Sequence, residues 1–252
     1  MPPAPTDSAS LSRREFTKFS VAFPLLPALL VRRQEAAEEP RFVAPPGELP
    51  ADLRERLDAL VAELKSGRKT TQDVLSDPAC ETLRPYPDFR AAIADHAPSG
   101  KTVLVPRSEP GEALHVAARA VDAQKRPIAG AMVYAYQTNA RGWYAAAAPH
   151  VSGNSGDYKH ARLFAYCRTD ADGRFELASV RPAGYPRSDL PAHIHLVIEG
   201  AGVERVTEIR FRDDPRLTPA QLEESQRARF EIVTPERLAD GSWRCAVEFA
   251  LP

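Results

Sequence analysis

Two histidines one residue apart, His193 and His195, have the spacing that most directly indicates chemistry in this chain of 252 residues. They stand in the segment PAHIH, where a run of alternating apolar residues predicts a β-strand over residues 192–198. Side chains alternate across a strand, so both imidazoles project from one face and can bind one metal ion. An isolated HxH pair is more often two structural histidines, so the surrounding sequence decides the interpretation.

Four sequence blocks occur in order around this pair. They are RPIAGAMVYAYQTNARGWY at residues 126–144, TDADGRFELASVRPAGYP at 169–186, PAHIH, and VTEIRF with DDP just after it at 206–215. The first resembles PVxGAxVExWQxxxxGxY and the second TDxxGxYxFxTxxPxxYP, both patterns of the intradiol ring-cleavage dioxygenases, the family of catechol and protocatechuate dioxygenases. The resemblance extends over roughly residues 111–215, and four ordered blocks rarely coincide by chance.

The resemblance implies a mononuclear ferric site that is held by two tyrosines and two histidines. Tyr144 closes the first block and Tyr185 stands near the end of the second, while His193 and His195 supply the imidazoles. Phenolate oxygen is a hard anionic donor that suits Fe(III), and the charge of the metal promotes loss of the phenol proton. We therefore expect one Fe(III) per chain on these four side chains and no organic cofactor.

The reaction that the resemblance implies is the insertion of oxygen between the two hydroxyl-bearing carbons of a catechol-type ring. The product is a muconate-type diacid, and the partners of the protein are the small-molecule catechol and O₂. The resemblance implies that Tyr144 is catalytic as well as a ligand. The incoming catechol displaces it together with a bound hydroxide, and either the freed phenolate or the hydroxide takes a substrate proton.

The sequence departs from the family pattern at two positions. Leu190 stands where the family usually has an arginine, whose cation stabilises charge that develops on the substrate. Arg187 is our candidate for a catalytic substitute, although an exposed loop arginine is the commoner interpretation of such a residue. Glu208 replaces a frequent glutamine, and a carboxylate there repels an anionic substrate unless it is protonated or paired. A solvent-facing Glu208 is an equal alternative.

Residues 1–33 have the features of a twin-arginine export signal. The segment SRREFTK, from Ser12 to Lys18, precedes an apolar stretch from Phe19 to Val31 that is too short to span a bilayer comfortably. The twin-arginine export machinery carries folded proteins, which suits a protein that takes up its metal before export. We expect an exported, periplasmic or extracellular protein, with the signal either cleaved or kept as a membrane anchor.

Composition narrows the classes of partner. The 33 Lys and Arg residues balance 34 Asp and Glu, so the chain lacks the long-range positive field of a nucleic-acid-binding protein. Cys80, Cys167 and Cys245 form no CxxC pair and indicate neither a zinc knuckle nor a disulfide framework. An exported protein can still form one disulfide bridge from these cysteines. The sequence is also compatible with a homo-oligomer.

The remaining sequence divides into a linker, a helical segment and a β-rich region. Residues 34–50 are charged and proline-rich and indicate a linker. Within a helical or irregular segment at 51–110, an apolar stripe from Leu53 to Leu64 predicts a helix that Asp52 caps and Gly67 ends. A further short helix is predicted after Thr218.

Residues 111–252 carry short alternating runs that are separated by turn-forming clusters. Eight strands are predicted there: 114–120, 131–137, 162–168, 174–180, 192–198, 206–211, 228–233 and 243–249. This pattern predicts an all-β sandwich or barrel. The resemblance narrows it to a β-sandwich core of the intradiol dioxygenase type, with an N-terminal helical segment.

Two other functions remain open. The first is a non-catalytic β-sandwich binding module on the same scaffold, for which Leu190 is the best argument. The second is another metal-dependent oxidoreductase, or a hydrolase, that uses the HxH pair without tyrosinate.

Overall fold

The computed structural model describes residues 48–144, 161–186 and 188–252 of the chain. The predicted amphipathic helix is present as α1, Ala51–Lys65, and it buries three leucines of the stripe. Gly67 ends it as expected, with a left-handed φ of 71° and a bond from its N–H to the carbonyl of Leu64. The predicted start is wrong: Pro50 is the cap residue, and Asp52 lies in the first turn.

Two short helices follow α1 and pack on the same core. α2 spans Thr71–Ser76 and begins with a capping box between Thr70 and Asp73. α3 spans Pro87–Asp95 and buries Phe89 completely. None of the helices in the described residues is long and apolar enough to cross a membrane.

The β-rich region forms two five-stranded sheets among the described residues, which confirms the all-β class with an N-terminal helical segment. The strands are β1 Lys101–Val103, β2 Ala113–Val121, β3 Met132–Gln137, β4 Leu163–Arg168, β5 Arg174–Val180, β6 His193–Gly200, β7 Val203–Phe211, β8 Glu231–Val233, β9 Glu236–Arg237 and β10 Trp243–Ala250. The first sheet has the order β1-β5-β2-β10-β9, and the second has the order β4-β3-β6-β7-β8.

The predicted strand at 228–233 is too long at its N-terminal end. Helix α4, Pro219–Ala228, occupies the preceding residues, and the side chain of Thr218 caps its start as the sequence suggests. Arg229 then adopts a left-handed φ of 57° and donates its N–H to the carbonyl of Gln226. Because this bond ends the helix, β8 begins only at Glu231.

The inner faces of the two sheets form the core. In β6, Ile194, Leu196 and Ile198 are fully buried between the sheets. Since side chains alternate along a strand, His193 and His195 lie on the opposite, outer face of the second sheet. The three cysteines are buried and make no disulfide.

Candidate metal centre

The register of the second sheet places a row of polar and aromatic side chains beside the histidine pair. Tyr136 of β3 and Glu208 of β7 are directly opposite His195, and Arg210 of β7 is opposite His193. Cross-strand neighbours on one face of a sheet have Cβ atoms about 5 Å apart, so these side chains are neighbours. The outer face of β6 is therefore the floor of the site.

Tyr144 reaches this face from the loop that follows β3. The side-chain carbonyl of Asn139 accepts bonds from the backbone N–H groups of Arg141 and Trp143, which makes the loop tight. Gly142 adopts a φ of 80°, a conformation that favours glycine. The turn leaves Tyr144 buried, with 5% of its surface exposed.

The second tyrosine loop packs directly on the first. A Cβ on Gly142 would lie 2.3 Å from the carbonyl oxygen of Gly184 and 3.0 Å from Cδ of Pro186. Only glycine allows two backbones to approach so closely. This contact brings Tyr144 beside Tyr185, which immediately follows Gly184.

Two residues of the DDPR segment after β7 hold the chain between Tyr185 and the histidines. A guanidinium nitrogen of Arg216 donates to the carbonyl of Tyr185 at 3.0 Å. The carboxylate of Asp214 accepts from the backbone N–H of Ala192 at 2.6 Å. The sequence match included the DDP of this segment, but it gave no role to Asp214 or Arg216. Their bonds to the backbone of Ala192 and Tyr185 connect this segment to the second and third blocks.

The four side chains that the sequence singled out lie together. The hydroxyl oxygens of Tyr144 and Tyr185 are 2.7 Å apart, and Nε2 of His193 is 2.9 Å from Nε2 of His195. The Tyr185 hydroxyl lies 3.0 Å from Nε2 of His193 and 3.4 Å from Nε2 of His195. The Tyr144 hydroxyl lies 2.9 Å from Nε2 of His195. Two oxygens and two nitrogens thus surround one point.

In each imidazole ring, the partner of Nδ1 determines the tautomer. The tautomer in turn determines whether Nε2 faces the cluster with a lone pair. Nδ1 of His193 lies 2.7 Å from the carbonyl oxygen of Pro191, which only accepts, so this nitrogen carries the proton. Nδ1 of His195 lies 3.4 Å from a carboxylate oxygen of Glu208, which favours the same tautomer. Both Nε2 lone pairs therefore point at each other, and a cation between them would turn repulsion into attraction.

The spacing and the chemistry of these donors fit a first-row metal ion. Ligand atoms that share a metal at about 2.1 Å lie roughly 3–3.4 Å apart for right to tetrahedral angles. The observed separations of 2.7 to 3.4 Å are close to this range. Two phenol oxygens with two imidazoles form a hard set that suits a trivalent ion better than a soft one.

Glu208 differs from one sequence expectation. Its side chain is only 14% exposed, so the solvent-facing alternative is wrong. One carboxylate oxygen faces His195, and the other lies 2.9 Å from Nε of Arg210. The carboxylate is therefore paired, the condition under which it does not repel an anion.

A second group of metal-binding residue types also occurs here: His193, His195 and Glu208 have ligand atoms within 4.8 Å of one another. Glu208 faces Nδ1 of His195, whereas the tyrosines face Nε2 of the same ring. The two nitrogens of an imidazole point in divergent directions, so one ion cannot use both. The Nε2 side, with two phenols, is the better-formed site.

Apolar and aromatic contacts complete the surroundings. Leu190 packs against the cluster of Tyr144, Ala161 and Tyr185, so the position of the family arginine is an apolar wall. Tyr136, which the sequence did not single out, stacks on the His195 ring at 4.4 Å between centroids. Its position opposite His195 in the sheet was the available signal. Arg187 lies outside the described residues.

Comparisons with known proteins bear on the family of the chain. A family model described as Dioxygenase, Dioxygenase_C, matches residues 86–251. The protocatechuate 3,4-dioxygenase beta chain of Burkholderia cepacia is 30% identical over 154 residues, which are 52% of this chain and 62% of that protein. Hydroxyquinol 1,2-dioxygenase of Rhizobium sp. strain MTP-10005 is 28% identical over 144 residues, or 50% of this chain and 46% of that protein. The chain thus spans less than two-thirds of either relative.

Solved structures give more distant matches. Catechol 1,2-dioxygenase from Pseudomonas arvilla C-1 has a TM-score of 0.47 at 18% identity, over 79% of this chain and 76% of that one. Hydroxyquinol 1,2-dioxygenase from Pseudomonas putida DLL-E4 has a TM-score of 0.45 at 22% identity, over 62% and 61%. Because the family model spans more than half of the chain, the protein belongs to the intradiol ring-cleavage dioxygenases, a family of oxidoreductases.

Proposed function

We propose that this protein is an Fe(III)-dependent intradiol dioxygenase. It inserts O₂ between the two hydroxyl-bearing carbons of a catechol-type aromatic and gives a muconate-type diacid. The observation that carries the proposal is the convergence of two phenol oxygens and two Nε2 atoms within 3.4 Å of their neighbours. Membership of the family supports the reaction class, and the donor set supports the metal.

Tyr144, Tyr185, His193 and His195 hold one Fe(III) per chain in this proposal. When bound, ferric iron would supply Lewis-acid chemistry towards the hydroxyl groups of the catechol. The two histidines are fixed on one strand, and backbone bonds hold the loop of Tyr185. These residues therefore keep the substrate oxygens in one orientation, which lowers the entropic cost of the reaction.

Tyr144 is the proposed proton acceptor. Its hydroxyl lies 2.7 Å from Tyr185 and 2.9 Å from His195, so a phenolate there is next to any ligand that replaces it. It stands on a loop and not on a strand, which makes its displacement less costly than that of either histidine. A phenolate is basic enough to take a catechol proton, because a tyrosine hydroxyl ordinarily has a pKa of ~10 and a catechol is itself a phenol.

The apolar wall limits the access of water. Tyr144, Ala161 and Tyr185 are buried, and Leu190 packs against them. A partly dry site strengthens electrostatic interactions with the substrate and protects a reactive intermediate from side reactions. Leu190 also brings no charge to the site, in contrast to the family arginine.

The alternative with a specific observation in its favour is a binding module on the same scaffold. Leu190 removes the cation that stabilises charge in the family reaction, and such a loss costs several kcal/mol of barrier. The module would bind a catechol without consuming oxygen. Retention of all four donors favours the enzyme, because a module that only binds has no use for two phenolates.

Localisation and partners belong to the same proposal. Residues 1–33, which lie outside the described residues, are a twin-arginine signal, and the mature protein acts in the periplasm or outside the cell after folding. Residues 34–50 are a linker, 51–110 a helical or irregular segment that also contributes strand β1, and 111–252 the iron-binding sandwich. The partners are a catechol, O₂ and the export machinery, and nucleic acid is not a partner.

One experiment separates these functions. The full chain is purified and its metal content and absorption spectrum are recorded, before and after a panel of catechols is added without oxygen. The dioxygenase contains about one iron per chain and has a visible tyrosinate-to-iron band that a catechol shifts, as the phenolate donors require. Admission of air then starts oxygen uptake. A coloured protein without uptake is a binding module, and a colourless zinc protein contradicts the proposal.

A further inference from the structure

We infer that Glu208 and Arg210 form a positioning pair that fixes the tautomer and the ring orientation of His195. This inference rests on the proposed function, because it concerns one of the proposed iron ligands. It begins with a difference between the two histidines. Nδ1 of His193 donates to the backbone carbonyl of Pro191, an acceptor that no side-chain substitution removes. Nδ1 of His195 has a side-chain carboxylate as its partner, 3.4 Å away.

The carboxylate of Glu208 is itself held in place by a buried arginine. The second oxygen of Glu208 accepts from Nε of Arg210 at 2.9 Å, and this arginine side chain is only 3% exposed. The same guanidinium donates to Gln221 at 3.1 Å and to Ser225 at 3.0 Å, two residues of α4. Arg210 therefore has little freedom, and Glu208 is oriented by a fixed cation.

This arrangement connects α4 to the metal site. The helix is an insertion between β7 and β8, and a chain of polar contacts through Arg210 and Glu208 links it to His195. One face of the His195 ring is covered by Tyr136, which stacks at an interplanar angle of 14°. The ring is thus stacked on one face, and the carboxylate lies beside its Nδ1 edge.

Two features identify Glu208 as a positioning residue and not a ligand. Its carboxylate lies on the Nδ1 side of the ring, away from Nε2 and the tyrosine oxygens. Its negative charge is also neutralised by Arg210, so little remains for a second cation. A carboxylate that receives Nδ1–H keeps the lone pair of His195 on Nε2 and raises the basicity of that nitrogen.

The test compares Glu208→Ala with Glu208→Gln and with Glu231→Ala in the full chain. Glu231 pairs with Arg205 at 2.7 Å on the same sheet, so its removal breaks a similar Arg–Glu pair that does not touch His195. Glutamine keeps an acceptor for Nδ1–H but leaves Arg210 without a counter-charge. Iron(III) affinity is measured by competition with a chelator, and stability by urea unfolding.

We expect Glu208→Ala to weaken iron affinity by about 10- to 100-fold, the usual effect of losing the partner of a ligand histidine. Glu208→Gln should stay within about threefold of wild type in iron affinity, although it loses stability as Glu208→Ala does. Glu231→Ala should keep wild-type affinity. This separation of affinity from stability is the signature of a positioning role.

Three results overturn the inference. If Glu208→Ala binds iron as wild type does, His195 does not depend on the carboxylate. If affinity falls in parallel with stability in all three variants, the pair is only structural. If the wild-type chain binds no iron(III), the proposed function fails, and this inference fails with it.

Discussion

The hydroxyl oxygen of Tyr144 lies 2.7 Å from that of Tyr185, although 41 positions separate the two residues in the sequence. The contact arises from backbone packing, because the loop of Gly142 lies against Gly184 more closely than any other residue type allows. His193 and His195 then approach the same point from a strand. These side chains therefore meet because the two tyrosine loops and the sheet that carries the histidines are each held in place by their own hydrogen bonds.

Replacement of Tyr185 by phenylalanine should remove the visible band and most of the bound iron. Its oxygen is the one that contacts Tyr144 and both histidines, so the change removes the central donor. We expect iron affinity to fall by more than about 100-fold. Loss of a residue that only hydrogen-bonds to a metal ligand costs less than this. Metal analysis and an absorption spectrum measure this. Tyr166→Phe, at a ring outside the site, should leave both unchanged, and equal losses in the two variants would contradict the assignment.

Gly142→Ala should damage both stability and the metal site. Its φ is 80°, and the added Cβ would lie 2.3 Å from the carbonyl oxygen of Gly184, so the two tyrosine loops must separate. Gly130→Ala is the matched control, since its φ is 70° but its Cβ would meet nothing within 4 Å. The control should cost only the strain of the left-handed conformation, about 1–2 kcal/mol of unfolding free energy. Gly142→Ala should cost more and should also lower iron content, whereas equal effects would show that the loop contact is unimportant.

Leu190→Arg should restore the cation that the family reaction uses. Leu190 packs on the tyrosine cluster, so an arginine there reaches the site. A preorganised charge at a developing anion is worth roughly 10²–10³ in kcat, and we expect an increase of that order. Oxygen uptake with a catechol measures it. Leu190→Met keeps the volume without the charge and should not raise kcat. An increase in both variants would indicate a packing effect instead.

Stability should fall at alkaline pH because of Cys167. Burial raises the pKa of this thiol to about 12 from an ordinary value of 9.0. The unfolded chain loses the proton above pH 9 while the folded chain keeps it, so the unfolded state binds fewer protons and the free energy of unfolding declines with pH. The decline runs from about pH 9 towards pH 12, and this thiol contributes about 1.4 kcal/mol of it between pH 8 and 10. Urea unfolding at both pH values should show a smaller loss in Cys167→Ala, and an equal loss would contradict the assignment.

Local sequence patterns were sufficient to predict most of the helices and strands. Alternating residues predicted β6 because one face of that strand must be buried, and the same alternation predicted that His193 and His195 share a face. The strand predicted at 228–233 was partly wrong, because helix α4 and its left-handed cap at Arg229 occupy its first residues. Such competition between helix and strand is decided by contacts that a short segment does not contain.

The sequence alone predicted the four candidate donors and the shared sheet face of two of them, because period-2 alternation and motif spacing are local properties. Only the tertiary structure decided that the tyrosines reach that face. Their approach depends on the contact of Gly142 with Gly184, and on Asp214 and Arg216 holding the second loop. It also decided that Glu208 is paired, because the Arg210 side chain that neutralises it is fixed by a helix from later in the chain. Long-range packing sets these relationships, and the spacing of residues along the chain does not reveal them.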